Sequence, residues 1–243
     1  MSAPRAQFLD SASTPSSLER ELWRHRLRAR VMAETIGTGY LLVALVGSGI
    51  QAQRLAEDQP AIALLANAFA TAAALYALIR CLQPVSGAHL NPLVSLALFC
   101  GGGLTLREFV GYAIGQTVGA LAGVALARLM FAMPAFSIAA QAHTGTDQWL
   151  GEVVATFGLI LVVLTSGRHG AQHSAGIVAA YIGAGFWFTP TDFANPSLTL
   201  ARAFTETYSG IRWIDVPAFI GAQCVGALTA MAVCRSFQSS EKT

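Results

Sequence analysis

Charge is what this chain has least of: 12% of its 243 residues are Asp, Glu, Lys or Arg against 54% hydrophobic, and the mean hydropathy is +0.53. That composition excludes a domain folded in water and points to an integral membrane protein. Cysteine is sparse too. Cys81, Cys100, Cys224 and Cys234 lie in or at the ends of apolar segments without metal-ligand spacing, so they read as packing residues. No nucleophile with a base, no metal cluster and no phosphate loop can be marked, which leaves no chemistry for an enzyme and implies neither cofactor nor metal. Beyond Glu34 and Glu152 the apolar segments hold no acidic cluster, whereas a secondary active transporter needs sites at which to couple an ion. The Ser-, Ala- and Pro-rich stretch Met1 to Ser17 lacks the apolar core and small-residue cleavage site of a signal peptide, and reads as a disordered tail.

What is present is six apolar stretches: Val31 to Ile50, Ala61 to Leu82, Glu108 to Met130, Trp149 to Ser166, Ser174 to Phe188 and Trp213 to Cys234. Most reach the roughly 20 residues that a spanning helix needs. The fifth, short and Gly-rich, fits a re-entrant segment by length alone, and only its pairing with the second supports spanning. Gly111, Gly115, Gly119 and Gly123 recur at helical spacing and allow backbones to approach closely in lipid.

Arg5, Arg20, Arg24, Arg26, Arg28 and Arg30 precede the first span and place the N-terminal tail in the cytoplasm. Alternating from there leaves Arg80, Arg107, Arg168, Arg235 and Lys242 inside and only Arg54, Arg128, Arg202 and Arg212 outside, so both termini are expected to be cytoplasmic. Leu22, Trp23 and Leu27 interleave the basic run, which reads as a juxtamembrane anchor on anionic lipid and not as a nucleic-acid surface. The expected organisation is a disordered basic tail over 1–30, a membrane domain over 31–235 and a cytoplasmic tail over 236–243.

Asn-Pro occurs twice in matching settings, Ser86-Gly87-Ala88-His89-Leu90-Asn91-Pro92-Leu93 and Thr191-Asp192-Phe193-Ala194-Asn195-Pro196-Ser197. Asn is a good helix N-cap and Pro a good first helical residue, so each pair opens a helix. Leu90 to Cys100 and Asn195 to Phe204 are about ten residues each, roughly 15 Å of helix and half of the hydrocarbon layer. The halves of the chain also resemble each other. Glu34-x-x-x-Thr38 parallels Glu152-x-x-x-Thr156, and Gln116-Thr-Val-Gly-Ala-Leu121 parallels Gln223-Cys-Val-Gly-Ala-Leu228, giving repeats over about 31–130 and 149–235. Three spans per repeat is an odd number, so the second repeat enters from the opposite face and the repeats are inverted. The two half-helices then dip in from opposite sides and meet N-terminus to N-terminus near the membrane centre, where they oppose cations and admit neutral molecules. Irregular backbone at that depth requires burial in protein or a wet lumen.

The paired Asn-Pro loops, the preceding Ser-Gly-Ala-His, the Glu-x-x-x-Thr spans and the Gln-x-x-Gly-Ala spans resemble the aquaporin, or major intrinsic protein, superfamily over roughly Met32 to Arg235, as a divergent bacterial aquaglyceroporin-like member. The resemblance implies an all-α membrane fold, a right-handed bundle of six spanning helices with two re-entrant half-helices. It also implies a homotetramer with one pore per subunit, here in a bacterial inner membrane. Asn91 and Asn195 become helix caps that also donate hydrogen bonds to a passing solute. Glu34 and Glu152 become acceptors for the re-entrant backbone, with a proton relay as the sharper alternative, and His89 orients its loop. The family reads Asn-Pro-Ala, whereas Leu93 and Ser197 stand in the third positions here and are expected to alter the packing where the half-helices meet.

Counting from the Asn landmarks, the family's outer constriction maps to Thr71, Gly183, Asp192 or Phe193, and Leu198. A typical member has Arg where Leu198 stands. Arg202, one turn further out, is either a mouth residue bonded to carbonyls near Glu206 or a residue that meets solute. Small residues at 71 and 183 and the missing Arg resemble a bacterial subgroup associated with arsenic resistance, which implies passage of neutral hydroxides such as arsenous acid together with water. Glycerol and small polyols, or water alone, are the alternatives. A secondary transporter or a structural membrane protein on the same fold are the rival classes.

Overall fold

The computed structural model describes residues 17–166 and 171–240, with side chains for 26–166 and 173–237. Among the described residues there are eight helices: α1 (Ser17–Ala56), α2 (Pro60–Ser86), α3 (Pro92–Cys100), α4 (Leu106–Met130), α5 (Thr146–Ser166), α6 (Ala171–Phe188), α7 (Pro196–Arg202) and α8 (Val216–Ser240). Five of them are long and apolar enough to cross a membrane. The sixth spanning candidate, α6, has 18 residues, about 27 Å of helix, and packs against α2 and α5. Two expected boundaries change. The 1–30 tail was expected to lack structure, yet α1 begins at Ser17 and carries the basic stretch to Arg30 as helix, and α8 likewise runs past 235 to Ser240. Met1 to Ser16 lies outside the described residues.

Local chemistry explains the ends. Thr105 and Glu108 form a capping box that starts α4, and α2 has Pro60 in its first turn and a left-handed Gly87 at its end, whose N–H donates to the Gln83 carbonyl. The two short helices are capped by Asn91 and Asn195, each followed by Pro. α3 has nine residues and α7 only seven, so the expected equal lengths do not hold. Beyond α7, Phe204 continues for one turn with its N–H on the Ala201 carbonyl.

The bundle is organised by two equivalent helix pairs, α1 on α4 and α5 on α8. Gly119 of α4 faces the backbone of Thr35, and a Cβ there would overlap the Thr35 carbonyl. Gly226 of α8 faces the Val153 carbonyl in the same way. Thr35 and Val153 each follow the buried glutamate of their own repeat, so the internal repeat is a repeat of contacts as well as letters. α3 and α7 touch at the centre, and the outward apolar residues Phe69, Ile114 and Leu228 suit contact with lipid.

Candidate functional site

The loops that lead into α3 and α7 are held in an uncommon backbone shape. Ala88 and Leu90 in the first and Asp192 and Ala194 in the second have φ between 47° and 50°, a left-handed conformation that costs a non-glycine residue roughly 1 kcal/mol or more. Buried carboxylates offset that strain. Glu34 accepts from Ser86 Oγ at 2.6 Å, His89 N at 3.0 Å, Leu90 N at 2.7 Å and Gln116 Nε2 at 2.8 Å. Glu152 accepts from Thr191 Oγ1, from Phe193 N and Ala194 N at 2.9 Å each, and from Gln223 Nε2 at 2.7 Å. Each carboxylate thus fixes one loop, and both are fully buried. With four donors on two oxygens, each carboxylate is fully engaged as an acceptor.

The asparagines join the two loops. Asn91 Oδ1 caps α3 by accepting from Leu93 N at 2.9 Å, and Asn195 Oδ1 caps α7 by accepting from Ser197 N at 3.0 Å. Their amides cross over: Asn91 Nδ2 donates to the Ala194 carbonyl at 2.7 Å and Asn195 Nδ2 to the Leu90 carbonyl at 2.8 Å. Each amide carries two hydrogens, and both residues border a cavity, so one N–H of each remains for the lumen.

That cavity, of about 260 Å³, runs along the bundle. Its wall is largely apolar, with Leu75 and Ile79 on α2 and Val178, Ile182 and Phe186 on α6 one helical turn apart, joined by Leu41 and Leu45 of α1 and Leu159 of α5, while Thr71 and Gln83 place polar groups at the two ends of the α2 stripe. The loops supply the polar edge through His89, Asn91, Asp192 and Asn195. A lumen with mainly apolar walls and a few polar groups suits small neutral molecules and gives a bare ion little to replace its water.

The sequence matches agree. A profile of the major intrinsic protein family covers residues 21–189. The chain belongs to the major intrinsic protein family. It is 48% identical over 210 residues to Aquaglyceroporin AqpS of Rhizobium meliloti (strain 1021), covering 86% of this chain and 90% of that one. It is 30% identical over 245 residues to the probable aquaporin PIP2-8 of Arabidopsis thaliana, covering 94% and 85%. The fold superposes on the X-ray structure of the aquaglyceroporin from Plasmodium falciparum with a TM-score of 0.65 at 22% identity, covering 85% of this chain and 94% of that one. It is therefore an integral membrane channel protein for water and small neutral solutes, and not an enzyme.

Within this major intrinsic protein the residues singled out by the family's spacing divide into two groups. Thr71, Asp192, Phe193, Leu198, His89 and both asparagines border the lumen. Gly183 does not. It faces α2, where a Cβ would meet Ala72 at 3.0 Å, and α6 presents Ile182 and Phe186 to the lumen instead. Those two residues lie four apart with Val178 on one helix face, a spacing present in the sequence. Asp192 and Phe193 both border the lumen, but the Phe193 ring points into a buried cluster with His143 and Phe219, at centroid distances of 5.6 and 5.3 Å. Asp192 rests against Gly185, where a Cβ would overlap its carboxylate. Neither Asp192 oxygen nor Thr71 Oγ1 has a hydrogen-bond partner among the described residues.

Leu93 and Ser197 are turned away from the lumen. Leu93 packs into the core with Ala155, Leu159 and Ala194 of the second repeat, and Ser197 Oγ lies 3.0 Å from Thr117 Oγ1 of α4. Pro92 and Pro196 serve as first helical residues. His89 Nδ1 sits 3.1 Å from Ser95 Oγ, and its ring meets Tyr112 edge-on at 5.1 Å. Arg202, at the end of α7, does not border the lumen: its Nε donates to the Ser209 carbonyl and its guanidinium lies 3.4 Å from the Phe193 ring centroid. Glu206, the expected neighbour, accepts instead from the Ala140 N–H.

Two supports went unnoticed in the sequence. Tyr112 OH donates to the Ser86 carbonyl at 2.6 Å and accepts from Arg30, which also pairs with Glu108. His143 brings the loop between α4 and α5 onto Phe193. Each joins residues far apart in the chain, and neither has a spacing that advertises it.

Proposed function

We propose that this channel passes small uncharged hydroxylated solutes, neutral metalloid hydroxides such as arsenous acid among them, together with water and without coupling to an ion. The observation that carries this reading is Leu198. An apolar side chain borders the lumen at the position where the family's spacing expects Arg, so a bulky fixed donor is missing from the wall. Thr71 adds width on the opposite helix. The occupied hydrogen bonds of Glu34 and Glu152 favour facilitated diffusion over a coupled transporter.

Glycerol is the second reading, favoured by the similarity to Aquaglyceroporin AqpS and by Phe186, whose ring suits a carbon backbone. A homotetramer in a bacterial inner membrane with both termini cytoplasmic is proposed with it, supported by the arginine bias and the outward apolar faces. The deciding experiment compares water, glycerol, urea and arsenite permeability in proteoliposomes. Arsenite uptake well above that of empty liposomes is the expected result. Water flux with no passage of any larger solute overturns the proposal, and accumulation above equilibrium under a proton or sodium gradient overturns the passive mechanism.

A further inference from the structure

We propose that Arg202 is the residue that repels cations from this pore, acting from behind the Phe193 ring instead of from the lumen wall. The inference rests on reading the lumen as a passive path for neutral solutes. Two acidic groups stand at this end. Glu152 has its oxygens filled by four donors, but Asp192, 4% exposed, has no partner for either oxygen among the described residues. Burial with no donor on either oxygen favours the uncharged form of Asp192, and Leu198 is apolar, so the wall itself presents no fixed cation at this end while the Glu152 carboxylate lies behind it.

Arg202 is the cation in contact with the same loop. It is 8% exposed, and its guanidinium lies 3.4 Å from the ring centroid of Phe193, the residue next to Asp192. The face of that ring holds the cation in place, and the ring is wedged in turn by His143 and Phe219. In a poorly screened interior a fixed charge is felt beyond contact distance, so Arg202 needs no place on the wall. Width and charge, which an arginine on the wall sets together, are separated here. Leu198 sets the wall and Arg202 the potential.

The test uses the full-length protein in liposomes, with sodium leak and glycerol-driven volume change recorded on the same preparation. Arg202→Met is expected to raise sodium leak relative to glycerol flux at least fivefold. Arg202→Lys is expected to stay within twofold of the wild type, although a role confined to ring stacking predicts a leak as large as that of the Met variant. Adding Leu198→Arg to Arg202→Met should restore exclusion. Where the Met variant does not assemble, Arg202→His keeps the question open to measurement: sodium leak higher at pH 8 than at pH 5.5 supports the proposal and equal leak overturns it. Wild-type liposomes that pass no neutral solute overturn the channel reading itself. Normal neutral flux with the same sodium leak in every variant overturns only the role of Arg202.

Discussion

The side-chain amide of Asn91 donates to the carbonyl of Ala194, 2.7 Å away and 103 residues along the chain. Asn195 returns the contact to Leu90 at 2.8 Å. The two half-helices are thus latched to each other across the inverted repeat, by the same side chains that cap them and border the lumen.

Asn91→Ala removes a cap, typically about 1 kcal/mol, and strands the buried Ala194 carbonyl, roughly another 1–3 kcal/mol. A loss of about 2–4 kcal/mol is expected, read as a lower unfolding midpoint in detergent. Asn91→Asp keeps the capping oxygen and loses the donor, so it should fall between the wild type and Ala. Equal stability of Asp and Ala variants would mean that the crossing bond contributes nothing.

Glu34 and Glu152 are predicted to be matched in effect. Glu→Gln at either position replaces one of two accepting oxygens by a donor that faces other donors, which costs about 3 kcal/mol. Both variants should assemble poorly, and whatever protein survives should show the wild-type dependence of solute flux on pH. A variant that folds normally and loses pH-dependent flux would restore the proton-relay alternative.

The parts of the fold that were legible from sequence were those written in local pattern. Apolar length marks the spans, and Asn-Pro marks the starts of α3 and α7. The matched Glu and Gln positions mark the repeat, and the structure adds what the letters do not state, that Gln116 donates to Glu34 and Gln223 to Glu152. The lumen was less legible because residue counting gives a position along a helix but not its rotation. At α6 a shift of one residue exchanges Gly183 for Ile182. The helical start at Ser17 was missed because Arg-rich sequence forms helix readily once Leu27 can pack near Gly111 of α4, a contact no local pattern shows.

Leu198 and Phe186 give the test of the lumen wall. Leu198→Arg is expected to reduce glycerol and arsenite flux several-fold more than water flux, because a long charged side chain narrows the path for the larger solutes first. Phe186→Ala should widen it and raise glycerol flux, whereas Gly183→Ala should act through packing against Ala72 and slow all solutes alike. Stopped-flow light scattering on proteoliposomes reads all three. If Leu198→Arg slows water and glycerol equally, Leu198 is not at the constriction.

His143 predicts a response to acid at the loop between α4 and α5. Burial, with Arg202 nearby, lowers its pKa below the usual 6.5, so the fold favours the neutral ring, which sits 3.0 Å from the Gly210 carbonyl. The sign follows from the depressed value. The stabilisation is complete above 6.5 and is lost as pH falls through the lower folded value. Asp215 works in the same direction at lower pH. Burial pushes its carboxyl up, but the His143 N–H, Arg212 and Thr144 outweigh that and hold it below 3.8, so its contribution disappears only in stronger acid. The loop these two groups secure runs beside α7's end, with Ser137 N–H on the Phe204 carbonyl and Ala139 N–H on the Ala203 carbonyl, 3.0 Å each. Lowering the pH from 7 to 5 should therefore speed hydrogen exchange over 137–144 and lower the unfolding midpoint. His143→Phe keeps ring contacts with Phe193 and Phe219 and gives up the bond to Gly210, a pH-independent cost of about 1 kcal/mol. Its midpoint should be lower than the wild type's at pH 7 but nearly flat down to pH 5. Parallel pH slopes in the two proteins would place the acid sensitivity elsewhere.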